Sequence, residues 1–310
     1  AVIFISHKLD EVLRVADDVT VVRAGETVAE VKSKDVTARQ LAELMVGSEL
    51  PQPTTHGDTR RSEVTLELKD VSIPTATGSR DLISHISFNL HAGEVVGIAG
   101  VEGNGQAELV EAIMGLRHYT GSIDFQGSSI DHMSVAHRHD LGIGLIPEDR
   151  QRQALMMDSP LWENRILGHQ RGKPVMRGFI LDRKATIEDT KRIMEEFDVR
   201  APGPMTAAAA LSGGNQQKFI VGREMSKAPA LLVASHPTRG VDVGAQGAIW
   251  EVLREARTKG MAIVLISADL EELIGMSDRL LVMLRGAITA ELDPQKTTPE
   301  QLGSAMTGAA

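Results

Sequence analysis

The sequence contains no cysteine and few aromatic side chains, with two tryptophans, one tyrosine and six phenylalanines in 310 residues. The lack of cysteine excludes disulfide bonds and thiolate metal sites, and it suits a reducing compartment. With 42% hydrophobic and 24% charged residues, the composition is typical of a globular protein with a sizeable core. The length allows two domains, or one large domain with an appendage.

An excess of positive charge and a long apolar run are also missing. The formal net charge is -9 at pH 7, whereas nucleic acids and anionic membrane surfaces attract basic faces. We therefore expect no nucleic-acid partner. No apolar run approaches the roughly 20 residues that span a bilayer, and the start AVIFISHKLDE lacks a signal-peptide pattern. Any role at a membrane is expected to depend on a partner protein.

Two segments of the chain repeat each other without a gap. The run ISHKLDEVLRVADDVTVVRAGETVAEV from Ile5 aligns with ISADLEELIGMSDRLLVMLRGAITAEL from Ile266, and the register holds as far as Gly47 and Gly308. Two unrelated strand-helix-strand units of similar composition are the alternative, which the ungapped length disfavours. We expect residues 1–50 to be the end of a first copy and residues 63–310 to be a complete second copy.

Residues 51–62, PQPTTHGDTRRS, are rich in proline, threonine and charge and show no hydrophobic period, which predicts a linker. In the second copy, strands are predicted at 230–235 and 261–267, helices at about 245–258 and 269–276, and mostly helix over 150–225. Alternating strands and helices indicate an α/β fold whose parallel sheet is covered on both faces.

A glycine-rich loop between a predicted strand and a predicted helix reads GVEGNGQA. It matches the glycines of the phosphate loop G-x-x-x-x-G-K-[ST], in which backbone N–H groups cradle phosphate, lysine adds a cation and the hydroxyl binds Mg²⁺. A purely structural turn is the alternative. The candidate nucleotide-binding residues are Gly100, Gly103, Asn104, Gly105, Gln106 in the lysine position, and Ala107 in the hydroxyl position.

The stretch LSGGNQQKFIVGREM, residues 211–225, predicts a helix opened by a serine and two glycines. A serine hydroxyl and free backbone N–H groups at the positive end of a helix can meet an anion. An ordinary capped helix with a glycine-rich entry is the alternative. The candidate anion-binding residues are Ser212, Gly213, Gly214, Asn215 and Gln216.

The sequence LSGGNQQK resembles the signature motif of ABC-transporter ATPases, in the variant seen in importers of sugars and nucleosides. The other landmarks follow in that family's order: the phosphate loop, then PEDR at 147–150, the signature, LLVASHPTRGVDVGA and ISAD. The sequences of these motifs are most similar to those of the nucleoside-importer branch. The resemblance implies a P-loop NTPase fold with a RecA-like parallel-sheet core, an antiparallel β subdomain and an α-helical subdomain.

The resemblance also assigns roles to individual positions. Ser235 and His236 stand where the family has an Asp that orders Mg²⁺ and a Glu that polarises water, so Ala107 and Ser235 leave no intact metal site. His236 could act as a base because its ordinary pKa is near 6.5, although the other catalytic positions are replaced as well. The family's switch histidine is matched by His7 in the first copy, whereas the second copy has Ala268.

Two further positions are implied to serve communication. Glu148 stands in the family's glutamine-containing loop, and Asp242 matches the loop that communicates between the two copies. Family members pair head to tail, so that each ATP lies between the phosphate loop of one copy and the signature of the other. We therefore expect one hydrolysing site, with ATP and Mg²⁺, and one degenerate site, and we expect this chain alone to be nearly inactive.

The partners implied by the resemblance are transmembrane permease subunits, a periplasmic or lipoprotein substrate-binding protein and another nucleotide-binding copy, at the cytoplasmic face of the cell membrane. A pseudo-ATPase scaffold and a soluble ABC protein not coupled to transport are the alternatives. A dinucleotide-binding oxidoreductase is disfavoured because no G-x-G-x-x-G follows a strand. A metal site at the remaining histidines is less favoured than a solvated segment, here His132, His137 and His139.

Overall fold

The computed structural model describes residues 2–6, 9–23, 25–47, 57, 59–75 and 81–309. His7 and most of the predicted linker lie outside this set. Of the linker, Thr59 and Arg61 are bonded to the second copy: Thr59 Oγ1 donates to Gly93 O at 2.7 Å, and the backbone N–H of Arg61 donates to Ala92 O at 2.8 Å. Within the described residues, no helix is both long and apolar enough to span a membrane.

The repeat is present in the structure as two units with the same order of elements. The first unit contains α1 (Leu9–Val15), β1 (Asp18–Arg23), β2 (Glu26–Lys32) and α2 (Ala38–Val46). Its counterpart, at the end of the chain, contains α9 (Leu270–Met276), β13 (Arg279–Leu284), β14 (Ala287–Leu292) and α10 (Pro299–Thr307). Each hairpin has an irregularity at the corresponding step, Val21/Val22 and Val282/Met283.

The helix starts also correspond. Thr37 caps α2 and Thr298 caps α10, each in a capping box with the glutamine three residues later, an arrangement that satisfies two otherwise unpaired backbone N–H groups at each helix start. The ungapped register in the sequence therefore corresponds to two similar local structures.

Two sheets organise the rest of the chain. The antiparallel sheet, in the order β4-β3-β6-β7, contains β3 (Val64–Pro74), β4 (Asp81–His91), β6 (Thr120–Phe125) and β7 (Ser128–Ser129). The mixed sheet, in the order β14-β13-β5-β12-β11-β8, adds β5 (Val95–Ala99), β8 (Ile143–Ile146), β11 (Leu231–Ser235) and β12 (Ala262–Ile266). Every neighbouring pair in the mixed sheet is parallel except β13 with β14.

The helices between these strands are α3 (Gln106–Met114), α4 (Val135–Asp140), α5 (Leu161–Asn164), α6 (Arg183–Glu196), α7 (Gly213–Met225) and α8 (Val243–Thr258). Alternate residues of the mixed-sheet strands belong to two separate hydrophobic cores, one on each face of the sheet. Leu232 and Ile263 pack on one face with residues of α7 and α8, whereas Val233 and Val264 pack on the other with residues of α3 and the antiparallel sheet. The predicted α/β fold, with a sheet covered on both faces, is confirmed.

The prediction of mostly helix over 150–225 was wrong for about half of that range. Between the short turn Arg150–Ala154 and α6, the chain forms only the four-residue α5 and a small hairpin, β9 (Met176–Arg177) with β10 (Ile180–Leu181). Proline and glycine explain this because they interrupt helices; here they are Pro160, Gly168, Gly172, Pro174 and Gly178, with Pro202 and Pro204 after α6.

The close contact between α6 and α7 gives a test of the packing. At Gly222, an added Cβ would lie 2.7 Å from Phe197 and 2.8 Å from Ile193, whereas at Gly203 it would meet no atom within 4 Å. Overpacking costs about 1–3 kcal/mol, which the gain in helix propensity of about 1 kcal/mol offsets only in part. We expect Gly222→Ala to lower the free energy of unfolding in urea, and the control Gly203→Ala to leave it unchanged or slightly higher.

Candidate functional site

The carboxyl ends of β5, β12, β11 and β8 meet at one edge of the mixed sheet because these strands are adjacent and parallel. In sheets of this kind, ligands bind in the crevice outside the carboxyl ends of the strands. A cavity of about 350 Å³ lies there. The predicted site residues that line it are Gly100, Gly103, Gln106, Ala107, Glu148 and His236, together with the switch-position residue Ala268.

The glycine loop between β5 and α3 is held in a fixed conformation. Gly103 and Gly105 have φ of 89° and 107°, a region that favours glycine, and a Cβ on Gly105 would lie 2.7 Å from Ile83. The Asn104 side-chain oxygen accepts from the Arg285 N–H at 2.8 Å, and its backbone oxygen accepts from the Gly286 N–H at 3.0 Å. Asn104 therefore fastens the loop to the β13–β14 turn.

Gln106 turns its side chain back into the loop. Its Nε2 donates to Val101 O at 3.3 Å, and the side chain is 9% exposed. A Cβ on Gly100 would lie only 2.3 Å from this nitrogen, so the glycine leaves the space that the amide occupies. The inside of the loop thus carries a neutral amide where a phosphate loop has a cation.

The hydrogen bond to the ring of His236 determines which of its nitrogens carries the proton. Its backbone has φ of 50°, and its Nδ1 accepts from the Ala268 N–H at 3.2 Å. Burial lowers the pKa of the ring, with Glu148 raising it and Arg239 lowering it. Because Nδ1 is the acceptor, the neutral ring carries its proton on Nε2. The free nitrogen is therefore a donor, which disfavours His236 as a base.

Charge in the cavity is mostly negative. Glu102, Glu148 and Asp269 contribute carboxylates, and Asp269 caps α9 by accepting from the Glu271 N–H at 3.0 Å. Arg239 is the one arginine or lysine among the lining residues, and its guanidinium is paired with Glu148. The lining therefore opposes a polyphosphate anion in this conformation.

The Mg²⁺ positions do not fit the metal. Ala107 has no ligand atom, and Ser235 is 6% exposed and is not among the lining residues. The loop that follows is anchored instead by Thr238, whose Oγ1 donates to Glu272 Oε1 at 2.9 Å; Trp250 Nε1 donates to the same oxygen at 2.7 Å. Burial raises the pKa of Glu272.

The candidate anion-binding helix start lies apart from this cavity. Ser212 is exposed and caps α7, its Oγ accepting from the Asn215 N–H at 3.4 Å and from Asn215 Nδ2 at 3.0 Å. The side chain of Asp242 lies close to the backbone of Gly214, where an added Cβ would be 2.8 Å from the carboxylate. This contact explains the glycine. Asp242 itself caps α8, accepting from the Ala245 N–H at 2.9 Å. None of residues 212–216 lines the cavity.

The three histidines of the segment 132–139, which were expected to be solvated, differ in burial. His132 and His137 are exposed, but His139 is mostly buried, and its Nε2 lies 3.4 Å from Glu224 Oε2. His169 packs edge-on against His139 with ring centroids 4.8 Å apart, and neither of its nitrogens has a hydrogen-bond partner. No sequence pattern indicates this contact, because α4, α7 and the loop after α5 meet only in the fold.

Charged groups surround this histidine pair. Burial raises the pKa of Glu224, but the charge of Arg223 and the hydrogen bond with His139 outweigh it and lower the pKa to about 2. Arg165, 1% exposed and paired with Asp189, also faces the cluster. His139, His169 and Glu224 have ligand atoms within 4.8 Å of one another, but the two guanidinium groups beside them oppose a divalent cation.

A glycine loop, a parallel sheet and a cavity at its carboxyl edge define an α/β nucleotide-binding fold. The family model for the ABC transporter matches residues 83–239. The chain belongs to this family. A crystal structure of an ATP-binding cassette of an ABC transporter in its ADP conformation superposes with a TM-score of 0.64 at 21% identity, covering 79% of this chain and 96% of that one. The predicted cassette fold is confirmed.

Two curated relatives align along nearly the whole chain. A nucleoside import ATP-binding protein of Lactococcus lactis subsp. cremoris is 40% identical over 309 residues, which are 99% of this chain and 61% of the relative. A glucose import ATP-binding protein of Haloferax volcanii is 41% identical over 313 residues, 99% of this chain and 56% of the relative. The chain thus spans somewhat more than half the length of these relatives.

The buried histidine gives a prediction about pH. Burial lowers the pKa of His169 to about 2, whereas an unfolded chain binds this proton near pH 6.5. The unfolded state is therefore favoured as the pH falls below about 6.5, by about 1.4 kcal/mol for each pH unit. We expect His169→Leu to remove this part of the slope between pH 6.5 and 4.5 in urea titrations. The exposed His118→Leu serves as the control; the same slope in both variants would contradict the assignment.

Proposed function

We propose that the chain is part of the ATP-binding component of an ABC importer that energises uptake of nucleosides or simple sugars. The names of the two relatives support both substrate classes. The sequences of the motifs favour the nucleoside branch. In this proposal residues 1–50 end a first nucleotide-binding domain, residues 51–62 are a linker and residues 63–310 are a second domain. The repeated terminal units and the coverage of the relatives support this division.

The second domain's own pocket is proposed to be degenerate. Replacing a loop lysine by Gln106 removes a charge-assisted hydrogen bond worth about 1.5–3 kcal/mol. The remaining cation, Arg239, is already paired with Glu148, and the Mg²⁺ positions hold Ala107 and the buried Ser235. His236 donates rather than accepts at its free nitrogen. Phosphoryl transfer depends on positioned charge and metal, so this pocket is not expected to hydrolyse ATP.

The observation that carries the proposal is the intact, exposed helix start at Ser212, which lies outside that pocket. Gly213 and Gly214 leave backbone N–H groups at the positive end of a 13-residue helix. In a head-to-tail pair, this surface would complete the ATP site of the first domain, to which His7 would contribute as the switch residue. Loss of charge in one pocket and retention of the helix start are then compatible.

The proposal implies ATP and Mg²⁺ at the composite site, with weak or no binding at the degenerate one. Its partners are transmembrane permease subunits, a periplasmic or lipoprotein substrate-binding protein and the first nucleotide-binding domain, with the chain at the cytoplasmic face of the membrane. Glu148 and Asp242 would serve communication. A pseudo-ATPase scaffold is the second candidate, favoured by the acidic lining of the cavity.

The first test uses the isolated chain. With Mg-ATP we expect turnover close to background, because the chain contains no complete hydrolytic site. Equilibrium titration with a nucleotide analogue, with and without Mg²⁺, measures binding in the same sample. Turnover equal to that of a complete transporter, and unchanged by His7→Ala, would refute the proposal.

The second test uses the complete two-domain protein with its permease. We expect Ser212→Arg to abolish transport-coupled ATP hydrolysis, because a bulky cation would fill the anion-binding helix start. Gln106→Ala, in the degenerate pocket, is expected to reduce hydrolysis less than twofold. Equal losses of ATP hydrolysis in both variants would contradict the proposal of one hydrolysing and one degenerate site. If neither the variants nor the wild type hydrolysed ATP, the pseudo-ATPase scaffold would be favoured.

A further inference from the structure

Arg150, the last residue of PEDR, has contacts that its place in the sequence does not indicate. It begins the short turn after β8, and its guanidinium reaches two other segments of the chain. Nη1 donates to Arg239 O at 2.6 Å, Nη2 to Gly240 O at 3.2 Å and Nε to Gln216 Oε1 at 3.3 Å. One side chain thus joins the loop after β8, the loop after β11 and the first turns of α7.

The contact with Gln216 reaches the helix start. Gln216 is 3% exposed, and its Nε2 donates to Ala208 O at 3.1 Å and to Leu211 O at 3.2 Å. Because its nitrogen is used in this way, its oxygen needs a donor, which Arg150 supplies. Leu211 directly precedes Ser212, so this chain of hydrogen bonds fixes the residue that caps α7.

Two glycines make room for the guanidinium. A Cβ on Gly213 would lie 2.6 Å from Arg150 Nη2, and Gly240 has φ of 64°. The arrangement uses the planar fork of arginine, with three donors in fixed directions, whereas a lysine offers one compact ammonium group. The site is therefore matched to the shape of arginine as well as to its charge.

The same short segment also holds the side chain of Arg239. Glu148, two residues before Arg150, pairs with the Arg239 guanidinium in the cavity, while Arg150 binds the Arg239 backbone oxygen. The segment 148–150 thus contacts both the side chain of Arg239 and the backbone oxygens of residues 239 and 240. Any displacement of the segment 148–150 is transmitted to the loop that leads to Asp242 and, through Gln216, to Ser212.

We propose that Arg150 is a positioning residue that ties the segment 148–150 to the Ser212 helix start, so that the two move as one unit. This inference rests on the proposed function, in which Glu148 serves communication and Ser212 faces ATP bound on the first domain. Arg150 touches no nucleotide in this arrangement. Its role is to keep Ser212 and the backbone N–H groups of α7 at the distance that the composite site requires.

The test compares Arg150→Lys and Arg150→Gln in the complete transporter reconstituted in lipid vesicles. We expect both variants to lower kcat for substrate-stimulated ATP hydrolysis about ten- to a hundredfold, because misplacing a binding group by about 1 Å has effects of this size. The KM for ATP should change less than threefold, since the phosphates are held mainly by the other domain. Hydrogen exchange at the amides of residues 212–216 should rise in both variants.

Arg152→Gln is the matched control, because Arg152 lies on the same turn, is 88% exposed and pairs only with Asp149 among the ion pairs of the described residues. It should behave as the wild type. Full recovery by Arg150→Lys would show that charge alone suffices and would overturn the inference, as would variants that match Arg152→Gln in kcat or fail to assemble. Failure of the proposed function is distinguishable, since the wild-type complex would then show no substrate-stimulated hydrolysis.

Discussion

The parallel pairing of β8, β11, β12 and β5 is the constraint on which the rest of the site depends. Each strand is apolar and almost entirely buried, as strands covered on both faces are, and their common direction brings four loops to one edge. The glycine loop, the PEDR segment, the loop with His236 and the turn with Ala268 meet there although they lie far apart in the sequence. The sheet places these loops next to one another, and the hydrogen bonds among them then fix their conformations.

Side-chain charge and shape separate two surfaces. The cavity lining has three carboxylates and one arginine, which is paired with Glu148, and the hydrogen bond from the Ala268 N–H leaves His236 with its donor at Nε2. The start of α7 keeps its cap at the exposed Ser212 and its two glycines. The two surfaces are connected by Arg150, whose guanidinium donates to the backbone oxygen of Arg239 and to Gln216 Oε1.

Sequence reasoning predicted the features that depend on local pattern. The repeat, the strands β11 and β12 and the glycine loop follow from periodicity and spacing, and the ABC resemblance followed from motifs. It missed what depends on distant contacts. The burial of His139 requires Glu224 of α7, and the bonds of Arg150 join positions separated by 66 to 90 residues. The irregular chain between β8 and α6, by contrast, had a local signal in its prolines and glycines.

The repeated unit also has an edge of its own. In the second copy, β13 pairs with β14 on one side and with β5 on the other. Its counterpart β1 pairs, within the described residues, with β2 alone. In the proposed two-domain protein, a strand of the first domain that corresponds to β5 would pair with the outer side of β1 and extend its sheet.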